Sequence, residues 1–168
     1  MDFYLQQARE AIDAATQGMS PAQMAWHPEG KWCAAEVLEH LSLAFTSTSG
    51  LLKKCLAERK ASTARPSLKQ RMITLVVLDI GYFPTGRQAP EWTRPKGGAP
   101  EAALPAIREH LAQMDTDITE CEKRFGGGIL AVHPIIGPLT PQQWRKFHWT
   151  HTRHHMKQIA GLRAGCKV

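Results

Sequence analysis

Four histidines lie within eight residues near the end of this 168-residue chain, in the run FHWTHTRHHMKQ. His151 and His155 are four residues apart, so on a helix their side chains share one face, about one turn apart. This spacing allows two imidazoles to bind the same metal ion, as they do in zinc sites with an HxxxH arrangement. Because helical histidines also occur in proteins without metal, the surrounding residues must distinguish the two cases.

The pattern of the last helix indicates that its histidines face the protein interior. At about 100° per residue, the histidines share one arc with large apolar side chains, and strongly charged residues lie on the other side. The inner arc contains Trp144, Phe147, His148, His151, His154, His155, Gln158 and Leu162, and the outer side contains Arg145, Lys146, Thr152, Arg153 and Lys157. Burying several imidazoles without partners is costly. A single histidine would be interpreted as a hydrogen-bonded core residue, whereas this cluster favours a site.

A third ligand is expected from another helix. His40, in WCAAEVLEHLSLAF, is the best candidate. We therefore predict a metal site formed by His40, His151 and His155, with water or substrate completing the coordination. Three protein ligands and an open position are typical of catalytic rather than structural metal sites. Nitrogen ligands suit a divalent zinc, nickel or iron ion.

Other polar residues are candidates for supporting roles. His154 and Glu36 are each predicted to orient a ligand or to act as a general base. For Glu36 the alternative is a carboxylate in the first helical turn, favoured by the helix macrodipole. His27 and His133 each precede a proline and are expected to be structural or to lie at a rim. His110, in a charged stretch, is expected to face solvent.

The rest of the chain predicts helices separated by turn-rich loops. The predicted helices span about residues 2–17, 33–60, 68–80 and 101–124, and a last helix begins with Thr140 as N-cap and Pro141 at its first position. The segment 68–80 is apolar on most sides from Met72 onward and is expected to be well buried. Its valine and isoleucine content also allows a strand, but the flanking helices favour a helix. Residues 18–31, 82–100 and 133–140 are predicted as connectors or loops. No segment alternates like a strand, so we predict an all-α fold with one domain over residues 1–168.

Composition excludes several classes of protein. The net charge is +6, but the basic residues are dispersed, which argues against nucleic-acid binding and suits the attraction of an anionic small substrate. The four cysteines form no CxxC pair and are expected to be reduced. The longest apolar run, Met72 to Leu78, is too short to span a bilayer, and the N-terminus lacks a signal-peptide pattern. We expect a soluble, cytoplasmic protein without a membrane partner.

The order of these motifs resembles a known family. A tryptophan shortly before a helix with the sequence AAEVLEHL, followed by a late helix with HTRHHMKQI, is similar to the DinB/YfiT superfamily of metal-dependent four-helix-bundle proteins. The segment HPIIGPLTPQQW before HxxxHH resembles one DinB-like branch. The resemblance spans residues 32–159 and implies an up-down-down-up bundle, here with an additional short helix and long loops. By position, it implies a divalent metal held by His40, His151 and His155.

The resemblance also implies a class of activity. Related members are isomerases and transferases that use mycothiol, bacillithiol or glutathione, and others are hydrolase-like. It therefore implies a metal-dependent transferase or hydrolase acting on a small molecule, with a low-molecular-weight thiol as a further cofactor whose thiolate the metal would favour. The alternative is a non-catalytic bundle that dimerises or binds a ligand.

A partly apolar stripe opposite the histidine arc suggests how the chain assembles. Trp149, Met156 and Ala160 form this stripe on the last helix. We expect it to form the contact of a homodimer, as in DinB-like proteins, with Trp149 as the anchor because tryptophan is enriched in interface hot spots. Packing beneath the loop 82–100 and scattered surface apolar residues are the alternatives.

Overall fold

The computed structural model describes residues 1–83 and 88–166. Its α-helices are α1 (Phe3–Thr16), α2 (Pro21–Ala25), α3 (Ala34–Ala57), α4 (Leu68–Thr74), α5 (Pro100–Phe125) and α6 (Pro141–Gly165). A π-helical turn, Leu75–Asp79, continues α4, and a 3-10 turn spans Glu91–Thr93. The predicted all-α fold is confirmed. None of the helices in the described part of the chain is long and apolar enough to cross a membrane.

The long helices α1, α3, α5 and α6 form the bundle, and side-chain contacts give their directions. Helices α3 and α5 run parallel, because Ser42 meets His110 and Leu52, later on α3, meets Cys121, later on α5. Helix α6 runs antiparallel to α3. Thr48 meets His148, whereas the earlier His40 meets the later His155.

Helix α1 completes the topology. It runs antiparallel to α5, because its start lies near Asp115 and its later residue Asp13 binds Arg108, earlier on α5. Its N-cap, Asp2, lies near Arg145 at the start of α6, so α1 and α6 point the same way. The bundle is therefore up-down-down-up, as the resemblance implied.

Local sequence explains where the long helices begin. The side chain of Asp2 accepts a hydrogen bond from the backbone N–H of Tyr4, and Thr140 forms a capping box ahead of Pro141. The Thr140 cap confirms the sequence prediction, and both caps satisfy N–H groups that a helix start leaves without partners. Cys33 caps α3 in the same way, with its sulfur accepting from the N–H of Glu36.

The core lies between the four long helices. On α5, Ile107, Leu111, Met114 and Ile118 recur at helical spacing and are all fully buried. They meet large apolar side chains of the other helices, including Leu5, Ile12, Leu38, Leu41, Phe45, Leu52, Trp144 and Ile159. This packing holds α3 and α6, which carry the candidate site, against each other.

The segment 68–80 is helical as predicted, but the expectation that it is well buried is wrong. Within it only Val77 and Leu78 are buried, while Leu68, Met72 and Ile80 are 80%, 61% and 67% exposed. The physical reason is its position. Instead of entering the bundle, this segment forms part of the wall of a cavity.

Part of the outer side of α6 differs from the prediction, whereas Arg153 and Lys157 are exposed there as expected. Arg145, Thr152 and Met156 were expected there, and all three are buried. Helix α1 packs against α6, and its N-cap Asp2 lies near the guanidinium of Arg145. The buried guanidinium of Arg145 is paired with the carboxylate of Glu122, 2.6 Å away. Since Met156 belongs to the core, it is not part of an exposed stripe.

Two predicted loops contain regular structure. Residues Ala131–His133 and Gly137–Leu139 form a two-stranded antiparallel hairpin within and beside the predicted loop 133–140. Gly137 has a φ of 95°, which only glycine adopts without strain. The connector 18–31 contains α2, which starts with a capping box at Ser20. Such short elements have too little periodicity to be predicted from the sequence pattern.

Candidate metal centre

Three histidines from two facing helices meet at one point. Helix α3 provides His40, and α6 provides His151 and His155, one turn apart. The Nε2 atom of His151 lies 3.2 Å from Nε2 of His40 and 3.0 Å from Nε2 of His155. One ligand nitrogen from each residue lies within 4.8 Å of the others, and all three side chains are buried. These are the three residues predicted from the sequence.

The outer nitrogens of two of these rings fix their tautomers. Nδ1–H of His40 donates to the carbonyl oxygen of Thr93 at 2.7 Å, and Nδ1–H of His155 donates to Oε1 of Gln158 at 2.8 Å. Both acceptors are oxygens that cannot donate, so each Nδ1 carries the proton. The Nε2 atoms of both rings therefore present lone pairs to the centre of the cluster, as metal-ligating histidines do.

The arrangement of these nitrogens suits a cation. A neutral His151 has one ring proton, so its Nε2 can donate to only one of its two neighbours. At least one of the two Nε2–Nε2 contacts then brings two lone pairs together without a proton between them. A divalent ion bound by all three Nε2 atoms would turn this repulsion into coordination. The Nδ1 atom of His151 is buried and has no hydrogen-bond partner among the described residues, so no oxygen fixes its tautomer.

Burial keeps the three imidazoles neutral. It lowers the pKa of His151 well below its usual value, and the neighbouring His155 lowers it further. Burial and the nearby His40 lower the pKa of His155 to about 3. Burial also lowers the pKa of His40. The neutral imidazole is the form that binds metal, so the free cluster is ready to bind at neutral pH.

Aromatic rings enclose the cluster. The ring of Trp32 lies 5.2 Å from that of His40 between centroids, and Phe83 stacks on His151 at 4.9 Å. Phe147, one turn before His151 on α6, stacks on it at 5.5 Å. These contacts restrict the orientation of the imidazoles.

The cluster lies in the wall of a cavity of about 1370 Å³. This is larger than the roughly 300–1,000 Å³ of most small-molecule sites. The apolar part of its lining includes Trp26, Trp32, Met72, Val76, Tyr82, Trp92, Ile135 and Leu162. A molecule in this cavity has direct access to the three histidines.

Of the two residues predicted to support the site, His154 lies at the cavity and Glu36 does not. His154 lines the cavity and is half-buried, and its Nε2 accepts from the side-chain amide of Gln158 at 3.3 Å. Gln158 therefore bridges His154 and His155. Glu36 does not line the cavity. Its carboxylate accepts from the backbone N–H of Cys33 at 2.8 Å, so the structure places it in the helix cap, as the alternative interpretation had it.

The remaining histidines have separate structural partners. His148 is fully buried and its Nε2 lies 3.0 Å from the hydroxyl of Thr48. His133 lines the cavity, and its Nδ1 accepts from two backbone N–H groups of the hairpin turn. His110 is half-buried beside the hydroxyl of Ser42, which corrects the expectation that it faces solvent. His27 is exposed.

Several residues of the site were not identified from the sequence. Thr93 contributes only its backbone carbonyl. Every residue has this group, so it gives no signal in the sequence, and Thr93 lies in a predicted loop. Phe83 was likewise assigned only to that loop. Gln158 was placed on the histidine arc without a role. Its spacing of three residues from His155 was the available signal, since such neighbours touch on a helix.

Comparison with protein families agrees with this geometry. The sequence model of the DinB superfamily matches residues 4–159, which is most of the chain. The chain therefore belongs to the DinB superfamily, and the resemblance of its motifs is confirmed. Neither a curated protein nor a solved structure matches the chain significantly.

Proposed function

We propose that this protein is a metal-dependent enzyme that acts on a small molecule as a transferase or hydrolase. The observation that carries the proposal is the convergence of three Nε2 atoms, from His40, His151 and His155, in the wall of a large cavity. Superfamily membership supports it. Zinc, nickel and iron all suit this nitrogen donor set.

The donor set supports a catalytic rather than a structural site. Structural zinc sites use four protein ligands, whereas catalytic sites use three and leave a position for water or substrate. A divalent ion bound here would supply Lewis acidity, which lowers the pKa of a bound water or of a low-molecular-weight thiol. The chain itself orients His40 through Thr93 and His155 through Gln158, and aromatic rings pack around the cluster.

His154 is the residue that we propose handles a proton or orients the substrate. Burial and the nearby Lys157 lower its pKa, so it is neutral at neutral pH. Because Nε2 accepts from Gln158, its proton lies on Nδ1, which can donate to an acceptor in the cavity. To act as a general base through Nε2, His154 must first release Gln158. Glu36 is engaged in its helix cap, so we propose no catalytic role for it.

Turnover tests this proposal. Zinc-loaded protein would be assayed against a panel of aryl esters and a panel of thiols with an electrophilic arene, before and after chelation. The proposal predicts turnover in one panel that chelation removes and zinc restores. The exposed His27 gives a matched control, because His27→Ala should retain turnover while His151→Ala loses it. Full zinc occupancy without zinc-dependent turnover in either panel would instead favour a non-catalytic metal-binding bundle.

We also propose that the chain is a cytoplasmic homodimer. All four cysteines are free, which is typical of a reducing compartment.

Trp149 stays half-buried and Ala160 is exposed, so these two residues remain for a dimer contact after Met156 is assigned to the core. Sedimentation should give a dimer at tens of micromolar and a weaker one for Trp149→Glu. A monomeric wild type would end the dimer proposal, and an equally tight Trp149→Glu dimer would move the contact elsewhere.

A further inference from the structure

The charges around the cavity have a single sign. Among the described residues that line it, Lys31 and Arg94 carry formal charges, and none is an aspartate or glutamate. The lining histidines add no charge at neutral pH. Burial lowers the pKa of His133 to about 4 and that of His148 to about 3, in addition to the effects at the three-histidine cluster.

Both cations belong to residues that adjoin, in sequence, residues in contact with the three-histidine cluster. Arg94 directly follows Thr93, whose carbonyl oxygen accepts from His40. Lys31 directly precedes Trp32, whose ring contacts that of His40. Consecutive Cα atoms are about 3.8 Å apart, so both side chains start within a few ångströms of residues that touch the cluster.

The two positive charges have no anionic partner among the described residues. The guanidinium of Arg94 donates to neutral oxygens, the carbonyl of Ala89 at 3.1 Å and the side chain of Gln88 at 3.3 Å. Neither Arg94 nor Lys31 takes part in an ion pair in the described part of the chain. An anion in the cavity would therefore meet two positive charges that no described carboxylate compensates.

Another part of the lining is apolar and open. Met72, Tyr82, Trp92 and Ile135 line the cavity and are 61%, 58%, 56% and 54% exposed. A concentration of exposed large apolar side chains marks a binding surface, because each is stabilised when water is removed from it. A small hydrophilic molecule would leave this wall in contact with water.

We propose that the cavity binds an organic anion with an extended apolar body, such as a long-chain or aryl-substituted carboxylate. The anionic group lies towards Lys31 and Arg94 beside the three histidines, and the apolar body covers Met72, Tyr82, Trp92 and Ile135. This inference rests on the proposed function, since it names the substrate class of the same site. It also explains why the apolar segment 68–80 is not buried in the bundle.

Calorimetric titration with four probes tests the proposal: decanoate, decanol, decyltrimethylammonium and butyrate. Decanoate should bind roughly tenfold more tightly than decanol, because hydrogen bonds to charged groups are the stronger ones. Decyltrimethylammonium should bind more weakly than decanol. Butyrate should bind roughly a hundredfold or more weakly than decanoate, because it lacks most of the methylenes that the apolar wall would bury.

Paired variants separate the cavity charges from general surface charge. Lys31→Gln/Arg94→Gln should remove the preference for decanoate over decanol and leave decanol binding unchanged. The control Lys60→Gln/Arg65→Gln removes the same charge from exposed residues outside the cavity lining and should keep the preference. Equal affinities for decanoate and decanol in wild type, or an equal loss of preference in both variants, would overturn the proposal.

Zinc content measured on the same samples separates this proposal from the proposed function. The preference for decanoate should persist in chelated protein, since Lys31 and Arg94 remain. Protein that binds zinc but shows no preference would overturn the anion proposal alone. Protein that shows the preference but binds no zinc would overturn the metal-dependent function and leave the anion site in place.

Discussion

At the scale of single residues, the metal centre depends on the atoms behind the ligands as much as on the ligands. Nε2 of His151 touches both other histidines, while His40 and His155 are each held by an oxygen at Nδ1. Those two hydrogen bonds set the tautomers and direct the lone pairs. Removing either oxygen should therefore weaken metal binding without removing a ligand.

Gln158 offers the cleanest residue-scale test of this idea. Gln158→Leu removes the acceptor of His155 Nδ1–H and should weaken zinc affinity by about 10–100-fold, in line with other outer partners of metal ligands. Gln158→Glu keeps an acceptor and should recover most of the affinity. Competition with a chromophoric chelator gives the constants, and Gln142→Leu, an exposed position on the same helix, is the control. Wild-type affinity in Gln158→Leu would show that this bond does not orient His155.

His148 provides a prediction about pH. Its pKa is lowered to about 3 in the folded protein because it is fully buried, against about 6.5 in the unfolded chain. Between these values the unfolded chain binds a proton that the folded protein does not. The metal-free protein should therefore lose stability as the pH falls from about 6.5 towards 3, by up to about 1.4 kcal/mol per pH unit from this residue.

Urea unfolding of metal-free protein between pH 4 and 6.5 measures this effect. His148→Gln removes the titrating group and should reduce the pH slope by up to one proton. His27→Gln, at an exposed position, should leave the slope unchanged. A slope that is the same in wild type and His148→Gln would mean that His148 does not contribute to acid destabilisation.

At the scale of secondary structure, the loop before α5 is held by α3. The carboxylate of Glu39 accepts from the backbone N–H groups of Lys96, Gly97 and Gly98 at 3.0, 3.1 and 3.2 Å. This loop follows directly from Thr93, whose carbonyl oxygen orients His40. Glu39 thus connects the helix that carries a ligand to the loop that positions it.

Glu39→Ala should therefore weaken zinc binding although Glu39 does not contact the cluster. Loss of the three N–H···O bonds should free residues 96–98 and loosen the bond between Thr93 and His40. Hydrogen exchange should accelerate at residues 96–98, and zinc affinity should fall, whereas Glu120→Ala on the exposed side of α5 should change neither. Faster exchange with unchanged affinity would show that the loop does not position His40.

Sequence patterns could predict the elements whose own periodicity is strong. Helices α1, α3, α5 and α6 repeat apolar residues at helical spacing over several turns, so their existence and inner faces followed from the chain. The three clustered histidines lie on such faces, which is why they could be predicted together. The residues behind them could not, because the Thr93 carbonyl depends on the path of a loop.

At the scale of the whole molecule, the burial of other segments depends on which elements pack against them. The outer side of α6 looked polar enough for solvent, but Arg145 and Thr152 are buried there, because α1 packs against α6 and Glu122 pairs with Arg145. The segment 68–80 is apolar enough to be buried, but it lines a cavity instead. Helical periodicity shows which residues share a face, but it does not show which neighbour that face meets.

Metal analysis tests most directly whether the three histidines bind one metal ion. Protein purified without a histidine tag and dialysed against limiting zinc should contain about one ion per chain, because three neutral nitrogens converge there. His151→Ala/His155→Ala should contain none, His40→Ala should bind much more weakly, and the exposed-site control His27→Ala should match wild type. Full zinc occupancy in the double variant would contradict the account.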